Sequence, residues 1–297
     1  MRLATWNLLH AIPIRGAVAG GNDESLAGRQ GTSNQVPDQS DDDRSAPTRE
    51  ILSAQSHLLN ADIVGLQEVD SGQVRSDLRN QVRDVADGLG APYWVFVPAI
   101  LGTPGQEWEL SSDAHIHHHE AEQQPDGSHY GVGLVSRFPI SDIEVMRFPA
   151  APLSLPLLVP GPKGATFLKV ADEPRVAIIA TVNTPTGSIT VATTHLSFVP
   201  GYNIKQLRQL SKRLSQLDGP VILLGDLNMP SRLPELVSKL DSLARIATYP
   251  VLKPRIQFDH ILAKGLTQRQ VTKAQKSARA LALDLSDHCA LSVELDL

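Results

Sequence analysis

The chain has 297 residues, 41% of them hydrophobic, a formal net charge of −5 and a single cysteine, Cys289. That length and apolar content support one large domain or two small ones without help from disulfides, and a lone cysteine excludes an intrachain bridge. No stretch approaches the roughly 18 uninterrupted apolar residues of a membrane-spanning helix, and dispersed basic residues under a negative sum exclude a protein that coats nucleic acid through a broad positive surface.

The first strand-like run, over 2–7, starts without a charged-then-apolar leader, so a cytoplasmic location is expected. It ends on Asn7. Positions 15–47 then form a polar insert rich in Gly, Ser, Asn, Gln and Asp, and its Asp41-Asp42-Asp43 run reads as a solvated tether rather than a metal site. Ile51, Leu52, Leu58 and Leu59 share one helical face over 48–59, which leads to a strand over 62–67 ending at Glu68, a β-α-β-like beginning. Leu78, Val82, Val85 and Leu89 repeat the helical spacing, Gly90 is placed to close that helix, and 93–97 is the next strand.

A second polar insert, 102–129, carries His115, His117, His118 and His119 near Glu109, Asp113 and Glu120. HisIleHisHisHis alternates sides in an extended chain and no cysteine contributes, so the expectation is a solvent-exposed loop rather than a zinc centre. A substrate-facing loop is the second reading.

Short strand-like runs follow at 131–136, 143–148, 165–170, 176–182 and 188–195, in the manner of a largely antiparallel meander. The apolar stretch 150–159 is broken by Pro152 and Pro156. Ile204, Leu207, Leu210, Leu214 and Leu217 mark a helix, and the apolar strand 221–224 runs into Gly225-Asp226-Leu227-Asn228. Leu233, Leu236, Val237 and Leu240 suggest one more helix before strands over 258–262 and 290–297. With no internal repeat or hinge-like linker, the pattern predicts a single α/β domain over 1–297, built from two packed mixed β-sheets flanked by helices.

Four β-type runs end on chemically capable side chains, at Asn7, Glu68, His195 and Asp226, and this is the pattern that points to function. A hard cation such as Mg2+ or Mn2+ takes carboxylate oxygen from Glu68, helped by the amide oxygen of Asn7. Asp226 and Asn228, two apart in extended backbone, share a side and supply a base and an orienting partner for water. Asp259, in Gln257-Phe258-Asp259-His260, accepts a hydrogen bond from His288, in Ser286-Asp287-His288, and keeps that imidazole protonated. Singly, each has a structural alternative: Asn7 as a turn former, Glu68 as a helix cap, SerAspHis as an N-cap or turn.

Taken in order, Thr5-Trp6-Asn7, Leu66-Gln67-Glu68, Tyr130 to Arg137, Thr194-His195-Leu196, Gly225-Asp226-Leu227-Asn228, Phe258-Asp259-His260 and Ser286-Asp287-His288 resemble the endonuclease/exonuclease/phosphatase superfamily. The resemblance implies a deoxyribonuclease I-like four-layer α/β sandwich and a divalent-metal-dependent phosphoesterase. It assigns Asn7 and Glu68 to the metal, with Asp287 as an additional contact, and Asp226 and Asn228 to the water and phosphate. Asp259 with His288 forms the polarised pair, His195 is a second catalytic histidine, and Arg175 contacts phosphate. The expected substrate is a phosphodiester, possible nucleic acid included, and the expected oligomeric state is a monomer. Alternatives are a phosphatase or phospholipase-like diesterase on a small phosphorylated molecule or lipid headgroup, or a catalytically silent binding module, which would show gaps in this residue set.

Overall fold

The computed structural model describes residues 1–13, 49–120, 127–152, 154–161 and 164–297. The first polar insert, with its aspartate run, lies outside the described residues. In chain order the elements are β1 (Arg2–Asn7), α1 (Arg49–Leu59), β2 (Ile63–Ser71), α2 (Gln81–Leu89), β3 (Tyr93–Gly102), β4 (Trp108–Leu110), β5 (His117–His118), β6 (His129–Ser136) and β7 (Ile140–Phe148). There follow β8 (Ser154–Gly161), β9 (Gly164–Ala171), β10 (Arg175–Thr184), β11 (Gly187–His195), α3 (Tyr202–Ser215), β12 (Val221–Asp226), α4 (Leu233–Ser238) and β13 (Asp241–Ser242). The chain closes with β14 (Asp259–Lys264), α5 (Gln268–Ser277), β15 (Arg279–Leu281) and β16 (Ala290–Glu294).

Two mixed sheets result. One has the order β15-β16-β1-β2-β6-β3-β4, with β5 also on β3; the other runs β13-β14-β12-β11-β10-β7. Each contains one parallel central pair, β1 with β2 and β11 with β12, because helical crossovers join those strands. Leu3, Ile63, Val95 and Leu134 of the first sheet meet Ile178, Val191, Ile222, Leu224 and Ile261 of the second in a continuous core.

Strand β12 shows why its sequence is apolar throughout. Ile222 and Leu224 point into the space between the sheets, whereas Val221 and Leu223 point outward under α3, against Leu207, Leu210 and Leu214. Helices α1 and α2 cover the opposite face, where Leu52, Leu59, Val82, Val85 and Leu89 pack on Trp6, Leu66 and Phe96. The layers are therefore helix, sheet, sheet, helix. No helix of the described residues is long and apolar enough to cross a membrane.

Several boundaries differ from the sequence expectation, each for a local reason. Helix α2 starts at Gln81 because the Asn80 side chain accepts hydrogen bonds from Val82 and Arg83 N–H, leaving Leu78 outside the helix and exposed. Among the short strands, β7, β10 and β11 are antiparallel as expected, but β6 joins the other sheet and β8 with β9 forms a separate hairpin. Helix α5 escapes detection because it buries only Val271 and Ala274.

The described part of the second polar insert, 102–120 and 127–129, is more ordered than a loop. It contains β4 and β5, and His117 is buried, paired through β5 to β3 opposite Phe96, with its ring 5.4 Å from that of His129. The expectation of solvent-exposed histidines fails at His117, since an aromatic ring beside Phe96 gains more from burial than an alternating polar pattern suggests.

Candidate active site

The fold brings the functional side chains to one edge through strand register. His195, Asp226 and Asp259 are direct cross-strand neighbours at the ends of β11, β12 and β14. A Cβ on Gly225 would stand 2.2 Å from the Thr194 carbonyl oxygen, so only glycine permits this close pairing just before Asp226. In the facing sheet, β1 ends at Asn7 opposite Gln67. The sheets approach closely here: a Cβ on Gly65 would lie 2.5 Å from Thr193 Oγ1, and Gln67 links Thr5 and Thr193 by hydrogen bonds of 3.0 and 3.1 Å.

Glu68 sits at an irregularity in β2, between Leu66 and Val69, with φ of 54°. A left-handed glutamate is uncommon, and such a bulge redirects a side chain. Here it aims the carboxylate toward the second sheet. Asn7 Nδ2 donates to Glu68 Oε1 at 2.9 Å and to Asp226 Oδ2 at 3.0 Å, joining one carboxylate from each sheet. The amide oxygen of Asn7 accepts from Leu9 N–H at 3.0 Å, a backbone donor that fixes the amide orientation and leaves a second lone pair on the oxygen.

Asp226 is held at both oxygens: Oδ2 by Asn7, and Oδ1 by the Asn228 N–H at 2.9 Å. That second bond corrects the extended-backbone expectation. Asn228 lies past the strand end with φ of 50°, its Nδ2 donates to the Leu196 carbonyl at 2.9 Å, and the same nitrogen is 3.1 Å from His195 Nε2. Asn228 thus reaches the site through an Asx-type turn.

The two histidines differ in charge. His288 donates from Nδ1 to Asp259 Oδ2 at 2.8 Å, and its Nε2 lies 3.8 Å from Asp226 Oδ2 and 4.0 Å from Asp287 Oδ1. Burial opposes its charge, but Asp259, with Asp226 and Asp287, outweighs that cost and pushes the imidazolium pKa up to about 10. His195 is pressed well below the usual value by burial, by Arg175 and by His288. Its Nδ1 accepts from Arg175 at 3.0 Å, which puts the neutral ring's proton on Nε2, and that N–H faces Glu68 at 3.9 Å and Asp226 at 3.8 Å. The Asn228 amide nitrogen 3.1 Å away, spent on Leu196, is then a neighbour and not a hydrogen-bond partner.

Arg175 is less available than a phosphate contact would be. One terminal nitrogen is taken by His195 and the other by Asp172 at 3.3 Å, while Nε is buried without a partner. Asp172 in turn accepts from Ser197 Oγ and Ala151 N–H, both at 2.8 Å. Sequence reasoning missed Asp172, Ser197 and Ser286, whose hydroxyl donates to the Asn7 carbonyl at 2.6 Å and accepts from His288 N–H. The one signal for Ser286 was its place in SerAspHis; Asp172 and Ser197 carried none.

The donor set suits a hard divalent cation. Burial raises the pKa of Asp226, with Asp259 adding to it, and pushes that of Asp287 up to about 6, with Glu68 and Asp226 adding to it. This clustered negative charge is what a cation relieves, and carboxylate oxygens are the ligands Mg2+ and Mn2+ take. Among the described residues, ligand atoms of Asp226, Asp259 and His288 all lie within 4.8 Å of one another. Of these, His288 Nδ1 is already spent on Asp259.

Two helix-covered mixed sheets with carboxylates, amides and histidines converging at one edge define a phosphoester hydrolase of the deoxyribonuclease I-like fold. Residues 4–288 match the Endonuclease/Exonuclease/phosphatase family, and the chain belongs to it. Among solved structures it is similar to an endonuclease/exonuclease/phosphatase from Beutenbergia cavernae, at 18% identity and a TM-score of 0.52, covering 100% of this chain and 71% of that one. It is also similar to a mannosyl-6-phosphatase from Bacteroides thetaiotaomicron (14% identity, TM-score 0.55, 100% of both chains). A beta toxin variant from Staphylococcus aureus with bound magnesium ions is a third (12%, TM-score 0.51, 99% of both). No protein of curated function matches the sequence.

Proposed function

We propose that the protein hydrolyses a phosphodiester by in-line attack of water on phosphorus, using Mg2+ or Mn2+ and no covalent enzyme intermediate. The observation that carries this reading is the setting of Asp226, whose Oδ2 lies 3.8 Å from Nε2 of both a neutral and a charged histidine, with Asn7 joining it to Glu68. Glu68 and Asp287 would hold the cation beside Asp226, where it supplies charge neutralisation for the phosphoryl oxygens and acidifies water.

The chain's own groups divide the remaining work. Asp226 takes the proton of the attacking water; burial moves its pKa upward, toward the range of an effective base. Asn7 and the Asn228 backbone hold its two oxygens in place. His288, kept charged by Asp259, stabilises negative charge developing on the phosphoryl group, and His195 offers its Nε2 proton to a second oxygen. Arg175 positions His195 by fixing its tautomer.

Hydrolysis of bis-p-nitrophenyl phosphate with Mg2+, with Mn2+ and with excess chelator tests this. We expect cation-dependent turnover that chelator abolishes, and a loss of at least about a hundredfold in Asp226→Asn with folding retained. Turnover indifferent to chelator, or a fully active Asp226→Asn, would overturn the reading, and preference for p-nitrophenyl phosphate over the diester would make the enzyme a monoesterase.

A further inference from the structure

Arg232, Arg245 and Arg255 come from three separate segments between β12 and β14, and they line one cleft of about 230 Å³ with Ser231, Ile246 and Gln257. Its place is set by the catalytic strands. Ser231 follows Asn228 by three residues, at most about 11 Å of chain, and Gln257 precedes Asp259 and donates to the Asp259 carbonyl at 3.2 Å. The cleft therefore opens at the edge where β12 and β14 end, on the side of β13.

Its charge is lopsided. Glu235 accepts from Arg245 at 3.1 and 2.8 Å and lies 4.0 Å from Arg232 Nε, so one carboxylate serves two guanidinium groups. Among the described residues, the exposed Arg255 guanidinium makes no hydrogen bond or ion pair. A concentrated positive cleft in a chain of net charge −5 is a local feature rather than a property of the whole surface. A neutral polyol would leave these charges unpaired, and an acyl chain would find mainly Ile246 and Ala247.

We propose that this cleft is a second anion subsite, which receives a phosphate group that the substrate carries in addition to the one being cleaved. Planar guanidinium forks match phosphate oxygens in pairs. The inference rests on the phosphoesterase reading, because it presumes that a phosphate ester occupies the neighbouring site. Two sources share this chemistry: the adjoining phosphate of an oligonucleotide, and the second phosphate of a small bisphosphate.

The test compares wild type with Arg232→Gln/Arg255→Gln, and with Arg269→Gln/Lys276→Gln, which removes the same charge from α5. Substrates are bis-p-nitrophenyl phosphate, tetrathymidylate, and glucose 1,6-bisphosphate against glucose 6-phosphate. We expect kcat/KM for a two-phosphate substrate, relative to its single-phosphate counterpart, to fall at least about tenfold in the cleft variant alone, chiefly through KM. A fall confined to tetrathymidylate identifies an internucleotide phosphate, and one confined to the bisphosphate identifies a small molecule. Unchanged ratios with the single-phosphate diester still hydrolysed would overturn the subsite and leave the hydrolase reading standing. If wild type hydrolyses none of these, they are not its substrates, and calorimetric titration with tetrathymidylate and with glucose 1,6-bisphosphate decides the subsite. Tenfold weaker binding in the cleft variant alone then supports it, and equal or absent binding of both probes overturns it.

Discussion

His195 and His288 flank the same carboxylate, and their partners set them to opposite charge. Burial, with Arg175, which can only donate, holds His195 neutral; Asp259 can only accept when ionised, so it keeps His288 charged. A raised folded-state pKa stabilises the native state fully below the ordinary histidine value near 6.5, and that contribution disappears as pH rises through about 10. Thermal unfolding in chelator should therefore show a Tm gap between wild type and Asp259→Asn that is largest near pH 6 and narrows as pH rises from about 6.5 to 10.5. A gap of constant size across that window would refute the assigned charge state. The pairing of Asp259 with His288 is readable from two short sequence clusters, because an acid and a histidine at strand openings have few other uses. Neither the Arg175 contact nor the amide orientation of Asn7 is readable, because both depend on what faces them across 20 residues or on a backbone donor two positions away.

At the scale of elements, the site is a consequence of where strands stop. The register that aligns His195, Asp226 and Asp259 requires a bare Cα at Gly225, so Gly225→Ala should cost about 2 kcal/mol or more and lower turnover with it. Asn80→Ala, which removes only a helix cap, should cost about 1 kcal/mol and leave turnover intact; chemical denaturation with parallel assays measures both. Equal losses of activity in the two variants would show that stability, not register, governs the site. Apolar runs ending abruptly in Asn, His and Asp mark the ends of β1, β11 and β12, whereas the expected end at Glu68 is a bulge inside β2, which continues to Ser71. The turn at Asn228 and the bulge at Glu68 were not visible, since positive φ at a non-glycine residue leaves no mark in residue type. Helix α5 was hidden for a different reason: with two buried residues its apolar stripe is too narrow for periodicity, although Thr267 and Gln270 form a capping box that signals its start.

For the whole molecule, the order of motifs carries the fold, and long-range charge placement stays concealed. Alternating helical and strand periods, with the central strands of each sheet apolar on both faces, lead to two covered sheets. Arg232, Arg245 and Arg255 read as dispersed basic residues until a helix, an edge strand and a turn fold them around one cleft. The opposite charges concentrate a short distance away, at Glu68, Asp226, Asp259 and Asp287. That acidic centre calls for a cation, and titration of Mn2+ into wild type and Glu68→Gln, followed in parallel by calorimetry and by diester hydrolysis, reads its binding and its effect together. We predict that heat and turnover saturate at the same Mn2+ concentration in wild type, and that both shift at least about tenfold in Glu68→Gln. Turnover that persists with no bound cation, or a Glu68→Gln protein that binds and reacts as wild type does, would contradict it.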